Sequence, residues 1–391
     1  MNDSWLRDVS KVEKVLFITN DFGPRAGGIE TFLMGLIERQ KRDSVIVYTS
    51  SQGDTRQYDA AWKSDFGVEV IRDRTRILLP TPFVARKVRK VVQERQIKRA
   101  CFGAAVPLGL LAPSLRRAGV QRILALTHGH EVWWARIFPF SWALRRVGKF
   151  IDVMTYLGDF TQSAIAPTLT AHARAAMVRI APGIDTSHFS PSADSREIRS
   201  SLGLTDKKVI VSVGRLVHRK GQDFLIRALP IIRQSIPNVH LLLIGEGPYR
   251  QKLESLAKEC NVEDAITFKG RIKYEELPRY ISAGDIFAMP SRSRFNGLEV
   301  EGLGIVYLEA SACGLPVVAG NSGGAPDAVL EGETGFVVDG VNTSAIAQAC
   351  VKLLENPQLA IAMGIAGREW IERDWSWDLW ANEFSKALLA K

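Results

Sequence analysis

Cysteine is scarce and scattered: Cys101, Cys260, Cys313 and Cys350 form no C-x-x-C pair and have no His at metal-ligand spacing. A disulfide scaffold and a zinc ribbon are thereby set aside, and reduced packing thiols are expected. Long apolar runs are missing as well, with no uninterrupted stretch of about 18 residues that could span a bilayer. The opening MNDSWLRDVSKVEK has no apolar core behind a basic start, so a secretory leader is not expected. The chain also lacks G-x-G-x-x-G and G-K-[ST], which removes a dinucleotide fingerprint and a P-loop. No low-complexity tract or short internal repeat is visible.

What is there is a chain of 391 residues, too long for one ordinary core and suited to two domains. Its 46% hydrophobic and 24% charged content is globular, which excludes a disordered or fibrous class. Net charge is +9, and it is unevenly spread. Residues 1–180 hold 28 Lys/Arg against 16 Asp/Glu, and residues 181–391 hold 23 against 26. The first half is therefore about +12 and the second about −3, which points to an anionic partner for the first. No nucleic-acid module is recognisable, so anionic lipid is the better candidate.

Short β-branched runs alternate with stretches of helical period, the pattern of βαβ units. In the first half strands are expected at 15–19, 44–49, 68–71, 122–127 and 152–156, with helices near 28–40, 82–95, 107–118 and 160–166. In the second, strands are expected at 208–214, 241–245, 265–270, 285–290, 315–320 and 335–339, with helices near 221–235, 248–260, 275–283, 304–313 and 344–355. APGIDTSHFSP (181–191) breaks both patterns and reads as a linker. The expected organisation is a domain over 1–185, a second over 186–374, and a final helix over 375–391, with Trp377, Trp380, Phe384 and Leu388 on one apolar face, packing back on the first domain.

Five segments could carry chemistry. EGLGIVYLEA places Glu301 and Glu309 on either side of a helix start opened by Gly302 and Gly304, where backbone N–H groups and the helix dipole suit a diphosphate. SVGRLVHRKG sets Arg215 after a buried strand and Lys220 before a helix, cations fit to neutralise a leaving diphosphate. NDFGPRAGGIE is a glycine-rich turn, with Gly27 and Gly28, between the first strand and first helix. THGHE follows a strand and offers His128 or His130 to a sugar hydroxyl, with Glu131 setting the tautomer. Two His and one Glu without a third His or Cys are weak ligands for zinc. Last, WWARIFPFSW (133–142) and the cations Arg86, Lys87, Arg89, Lys90, Arg95, Lys98 and Arg99 have the composition of an interfacial anchor. Each segment also has a plain structural reading, as solvated charge, a tight turn or core packing.

As an ordered set, GGIET, THGHE, APGID, RLVHRKG, GRI, the E-x7-E pair and SGGAPD resemble glycosyltransferase family 4, over nearly the whole chain. The resemblance implies the GT-B fold: α/β, two Rossmann-like domains with a cleft between them. More narrowly, NDFGPRAGGIE, LPTP, FGAAVPLGLLA, THGHEVWW and VEGLGIVYLEASACGLPVVAG resemble the actinobacterial GDP-mannose-dependent phosphatidylinositol mannosyltransferases that add a second mannose to phosphatidylinositol monomannoside. A retaining α-mannosyltransferase is the function so implied, acting on a nucleotide-sugar donor and an anionic glycolipid acceptor. Peripheral contact with anionic membrane at the cytoplasmic inner face, no nucleic acid and no bound cofactor go with it. The chain has no D-x-D triplet, so no metal is expected.

Carried over by residue, the resemblance implies that Arg215 and Lys220 bind the diphosphate and Glu309 the ribose. Arg271 and Ile272 line the base, Glu301 contacts the donor sugar, and Gly27 and Gly28 approach a phosphate. Gly302 and Gly304 belong to the donor site, and His128 sits beside the transferred sugar, with His130 the less certain alternative. Two departures stand out. Nine residues separate Ser291 from Glu301, a longer loop than in many relatives, with Glu299 as an extra carboxylate, and His218 replaces the proline common before the R-K-G cations. Alternatives are a family 4 transferase with another donor or acceptor, a sugar-nucleotide epimerase on the same fold, and a catalytically silent lipid- or sugar-binding relative.

Overall fold

The computed structural model describes residues 13–25 and 27–390; the first twelve residues, where a leader was sought, and Ala26 of the glycine-rich turn lie outside them. The chain divides into two units. Unit one comprises residues 13–157, 162–182 and 377–390 of the described chain, and unit two residues 158–161 and 183–376.

The strands of unit one are β1 (Val15–Thr19), β2 (Val45–Thr49), β3 (Glu69–Arg72), β4 (Arg99–Phe102), β5 (Arg122–Ala125), β6 (Val153–Tyr156) and β7 (Met177–Arg179). Its helices include α1 (Gly28–Glu38), α2 (Arg56–Phe66), α3 (Pro82–Glu94), α4 (Ala112–Arg117), α5 (Glu131–Arg136) and α6 (Phe140–Gly148). After α7 (Asp159–Ile165) and α8 (Ala171–Ala175), unit two adds α9 (Ser195–Ser201), α10 (Gln222–Ser235), α11 (Arg250–Glu259), α12 (Leu277–Ile281), α13 (Ile305–Ala312), α14 (Thr343–Glu355) and α15 (Pro357–Asp374). Its strands are β8 (Lys208–Val213), β9 (Val239–Ile244), β10 (Ile266–Gly270), β11 (Ile286–Met289), β12 (Val317–Gly320) and β13 (Gly335–Val338). The chain returns to unit one as α16 (Trp377–Leu389).

Both sheets are parallel throughout, in the orders β3-β2-β1-β4-β5-β6-β7 and β10-β9-β8-β11-β12-β13. Helices cover both faces of such a sheet, which is why β1, β2, β9 and β11 are buried along their whole length. Strand order reverses between β1 and β4 and again between β8 and β11. Ligands of open α/β sheets bind at the carboxyl ends of strands at such points. Here the first carries the glycine-rich turn beside Gly103, and the second carries Arg215–Gly221 beside Pro290–Glu301.

The structure adds strands and helices that periodicity did not reveal. The strands β4 and β7 have four and three residues, too short to show a period against flanking charges. Helix α2 buries only Trp62, so it presents no apolar stripe. The segment 133–142 is part of two short helices rather than one loop, and Pro139 marks the break between them. The C-terminal helix buries Trp380, Ala381, Phe384 and Leu388 and packs on α1, where a Cβ on Gly35 would lie 2.2 Å from the Trp377 ring. Among the described residues no helix is long and apolar enough to cross a membrane.

Candidate active site

In unit two the turn after β8 and the loop after β11 face each other across the strand reversal. Gly221, at φ 74°, makes the turn possible, and a Cβ there would meet the Pro290 carbonyl oxygen at 1.8 Å, so the two segments touch through backbone. This close approach brings Lys220, 8% exposed, against Glu301, 7% exposed. Glu301 Oε2 accepts from Lys220 Nζ at 2.9 Å and from Arg219 Nη1 at 2.7 Å. Burial works to raise the Glu301 carboxyl pKa, but the two cations outweigh it and hold the group below its ordinary value, hence ionised.

Arg219 is a residue that the sequence reading passed over. It lay in the quoted R-K-G run, and only the fold shows that it shares the Glu301 carboxylate with Lys220. Arg215, by contrast, is exposed at the start of the same loop, with no side-chain partner among the described residues. It is a free cation beside a paired one.

Helix α13 begins at Ile305, with Gly304 as the left-handed N-cap at φ 79° and no side chain capping it. The helix is thus opened by Gly304 alone, and Gly302 belongs to the preceding loop, a correction to the expectation that both glycines open it. The Gly324 Cα lies close to that loop, where a Cβ would stand 2.2 Å from the Gly302 carbonyl oxygen. Glu309 sits inside α13, 7% exposed, and burial raises its pKa to about 7 against the opposing pull of Lys220. Arg271 is exposed and Ile272 half-buried just past β10, following the left-handed Gly270.

In unit one, His128 follows β5 and its Nε2 lies 2.5 Å from the Gly103 carbonyl oxygen. A carbonyl only accepts, so Nε2 carries the proton and Nδ1 is left as an acceptor. Burial lowers the His128 pKa, which keeps the ring neutral. Contrary to the expectation from sequence, Glu131 does not set the His128 tautomer; its Oε2 accepts from the His128 backbone N–H at 2.9 Å, and its Oε1 lies 3.3 Å from Nε2 of the alternative histidine, His130. The reason is local: α5 starts at Glu131 and turns its carboxylate back onto the loop that precedes it.

Gly27 is the extended N-cap of α1, where a Cβ would stand 2.4 Å from Glu30 Oε2, while a Cβ on Gly28 would meet nothing within 4 Å. Asp21 joins this cluster, its pKa raised by burial and by Glu30. Sequence spacing gave no signal for Asp21 because it stands alone in a turn. The unit therefore gathers a neutral imidazole acceptor and carboxylates, fit to hold hydroxyls. The surface of unit one is different: Phe83 is 69% exposed on α3, which also carries Arg86 and Lys90, and Phe138 and Trp142 are 80% and 57% exposed at α6, which carries Arg145 and Arg146. A groove of about 570 Å³ on α3 is lined by Phe83, Arg86, Lys87, Arg89, Lys90 and Gln93.

Residues 194–370 match the family described as glycosyl transferases group 1. Over 365 residues the chain is 46% identical to the GDP-mannose-dependent alpha-(1-6)-phosphatidylinositol monomannoside mannosyltransferase of Mycolicibacterium smegmatis, covering 93% of this chain and 95% of that one. It is 39% identical over 383 residues to the GDP-mannose-dependent monoacylated alpha-(1-6)-phosphatidylinositol monomannoside mannosyltransferase of Corynebacterium glutamicum, covering 97% and 99%. Among solved structures, Anabaena HepE in complex with UDP superposes with a TM-score of 0.81 at 20% identity, covering 97% of this chain and 100% of that one. Sucrose-phosphate synthase from Thermosynechococcus elongatus gives 0.75 at 22% identity, covering 96% and 98%. At these identities the structural likeness shows the fold, two Rossmann-like parallel-sheet domains as in other GT-B glycosyltransferases.

Proposed function

This chain belongs to the glycosyl transferases of group 1, and from that premise we propose that it moves mannose from GDP-mannose to phosphatidylinositol monomannoside with retention at the anomeric carbon. The observation that carries the choice of donor and acceptor is the 46% identity across 93% of the chain to an enzyme named for that reaction. The site carries the chemistry. Lys220 and Arg219 converge on one carboxylate position beside the uncapped start of α13. Cations and backbone N–H groups so placed can stabilise the charge that develops on a departing diphosphate.

In this reading Arg215 and Lys220 hold the diphosphate, and Glu309 accepts from the ribose hydroxyls. Arg271 and Ile272 flank the base, and the backbone at Gly27 and Gly28 approaches a phosphate, with open space beside Gly28. Glu301 and the Nδ1 acceptor of His128 bind sugar hydroxyls. No side chain need act as a nucleophile: the leaving phosphate oxygen accepts the acceptor hydroxyl's proton as the new glycosidic bond forms on the face the phosphate leaves. The acceptor is an anionic lipid, met at the cytoplasmic face of the membrane in this proposal, and the exposed aromatics and cations of unit one support peripheral contact with an anionic surface.

Radiolabel transfer from GDP-mannose to phosphatidylinositol monomannoside in anionic vesicles tests this, with UDP-glucose, bare phosphatidylinositol and added EDTA as parallel arms. Labelled dimannoside that persists in EDTA is expected. Product on bare phosphatidylinositol alone would move the enzyme to another acceptor, and product from UDP-glucose alone would discard the donor.

A further inference from the structure

Arg292 opens the long loop between Ser291 and Glu301, and its guanidinium is buried, the residue being 4% exposed. Its Nη1 and Nη2 donate to Asp223 Oδ1 and Oδ2 at 2.7 and 2.8 Å, a two-pronged pair. Nη2 also lies 2.7 Å from His218 Nδ1, and the guanidinium stacks 4.7 Å from the centre of the Phe224 ring. The Arg292 backbone N–H donates to the Arg219 carbonyl at 2.8 Å. Asp223 accepts further from the Tyr249 hydroxyl at 3.2 Å. Burial, followed by the charge of Arg292, lowers the His218 pKa, so the ring is a neutral acceptor. These contacts bracket Lys220 from both sides: His218 and Arg219 precede it, and Asp223 follows it at the start of α10.

A buried ion pair is a poor way to gain stability, since apolar side chains of the same volume do as well or better. What a two-pronged guanidinium supplies is direction. The turn Val217–Gly221 contains no proline, the residue that would stiffen it through its own ring. Here the stiffness comes from outside the turn, from the loop that also ends in Glu301.

We propose that Arg292 is a positioning residue for transfer: through Asp223 and His218 it fixes the turn that carries Lys220 in register with Glu301. The inference rests on the assignment of Lys220 to the donor diphosphate. Displacing a charge-stabilising group by about 1 Å can cost ~10²-fold in rate, and Arg292 sets that displacement without touching the donor itself.

The test is a cycle of variants in the full chain, read as kcat and KM for GDP-mannose, with GDP affinity by calorimetry as a measure that needs no acceptor. Arg292→Lys keeps the charge but not the two prongs, and it should lower kcat or GDP affinity about tenfold or more. Asp223→Asn should do the same and serves if Arg292→Lys does not fold. His218→Gln, which retains an acceptor for the guanidinium, should keep most of the activity that His218→Leu loses. Because Arg292 acts through Lys220, adding Arg292→Lys to Lys220→Ala should cause no further loss. Losses that multiply, or an Arg292→Lys chain with a lower melting point but wild-type kcat, KM and GDP affinity, overturn the proposal. Wild-type turnover in Lys220→Ala instead overturns the donor-site assignment beneath it, and the two failures are thus told apart.

Discussion

Three cations at the strand reversal of unit two are folded inward, whereas many cations of unit one stand in solvent. Lys220, Arg219 and Arg292 each rest on a carboxylate of the same unit, at 2.9, 2.7 and 2.7 Å. Arg86, Lys90, Arg145 and Arg146 are exposed on α3 and α6, beside exposed Phe83 and Trp142. The difference suits the two partners proposed for them. A small dianionic group is stabilised by a few charges fixed in a dry place, whose strength grows as water is excluded. A membrane surface is met by many screened charges and a few inserted rings, none of which need be aligned.

Lys220→Ala tests the inward cations most directly. If inward cations do the chemistry, kcat falls by about 10²-fold or more, as when one charge-stabilising donor is removed. Removing an outward cation, Arg86→Ala, should leave turnover on a water-soluble acceptor within a factor of about two, as expected of a surface substitution. Steady-state kinetics on both variants decides it, and equal losses would erase the distinction.

A smaller effect is expected from the outward face. Replacing Phe138 by Asp and Trp142 by Ala removes two rings that could each gain roughly 1.5–3 kcal/mol on burial. Cosedimentation with anionic vesicles should fall about tenfold or more, with kcat on soluble acceptor unchanged. Raising salt should weaken binding of the wild type further, because its exposed cations are screened beyond about 10 Å at 0.1 M. Vesicle binding indifferent to both would leave the exposed aromatics without this role.

Much of this was legible in the residues. The β-branched runs marked most strands, and the ordered motifs placed Arg215, Lys220 and His128 near strand ends and Glu301 and Glu309 before and within a helix. What spacing could not show is which groups neutralise one another. Arg219 and Lys220 are adjacent in the chain, yet their common partner lies 81 positions beyond Lys220, at Glu301. Arg292 and Asp223 are 69 positions apart and meet only because β8 and β11 are neighbours in the sheet. The tautomer of His128 is likewise set by a backbone carbonyl 25 residues away, which no side-chain pattern records. Short strands such as β7 escaped for a different reason, since three residues hold no period.

Glu309 differs from Glu301, being a buried acid in unit two whose side chain takes no hydrogen bond from the described residues. Its pKa, raised by burial to about 7 from an ordinary 4.5, means that the folded chain holds a proton that the unfolded chain has already lost between those values. Wild-type stability is therefore full below about pH 4.5 and declines as pH rises through 7, by about 3 kcal/mol at most. Glu309→Gln removes the charge and should escape the decline. Calorimetry should find equal melting points near pH 5 and a variant several degrees more stable at pH 8, at roughly 2–4 °C per kcal/mol for a unit of this size. The same variant should bind GDP more weakly, because a carboxylate left without protein partners is available to ribose hydroxyls. A Glu309→Gln chain less stable than wild type at pH 8 would mean that the carboxylate is satisfied within unit two after all, like Glu301, and that the unit keeps no anionic acceptor in reserve.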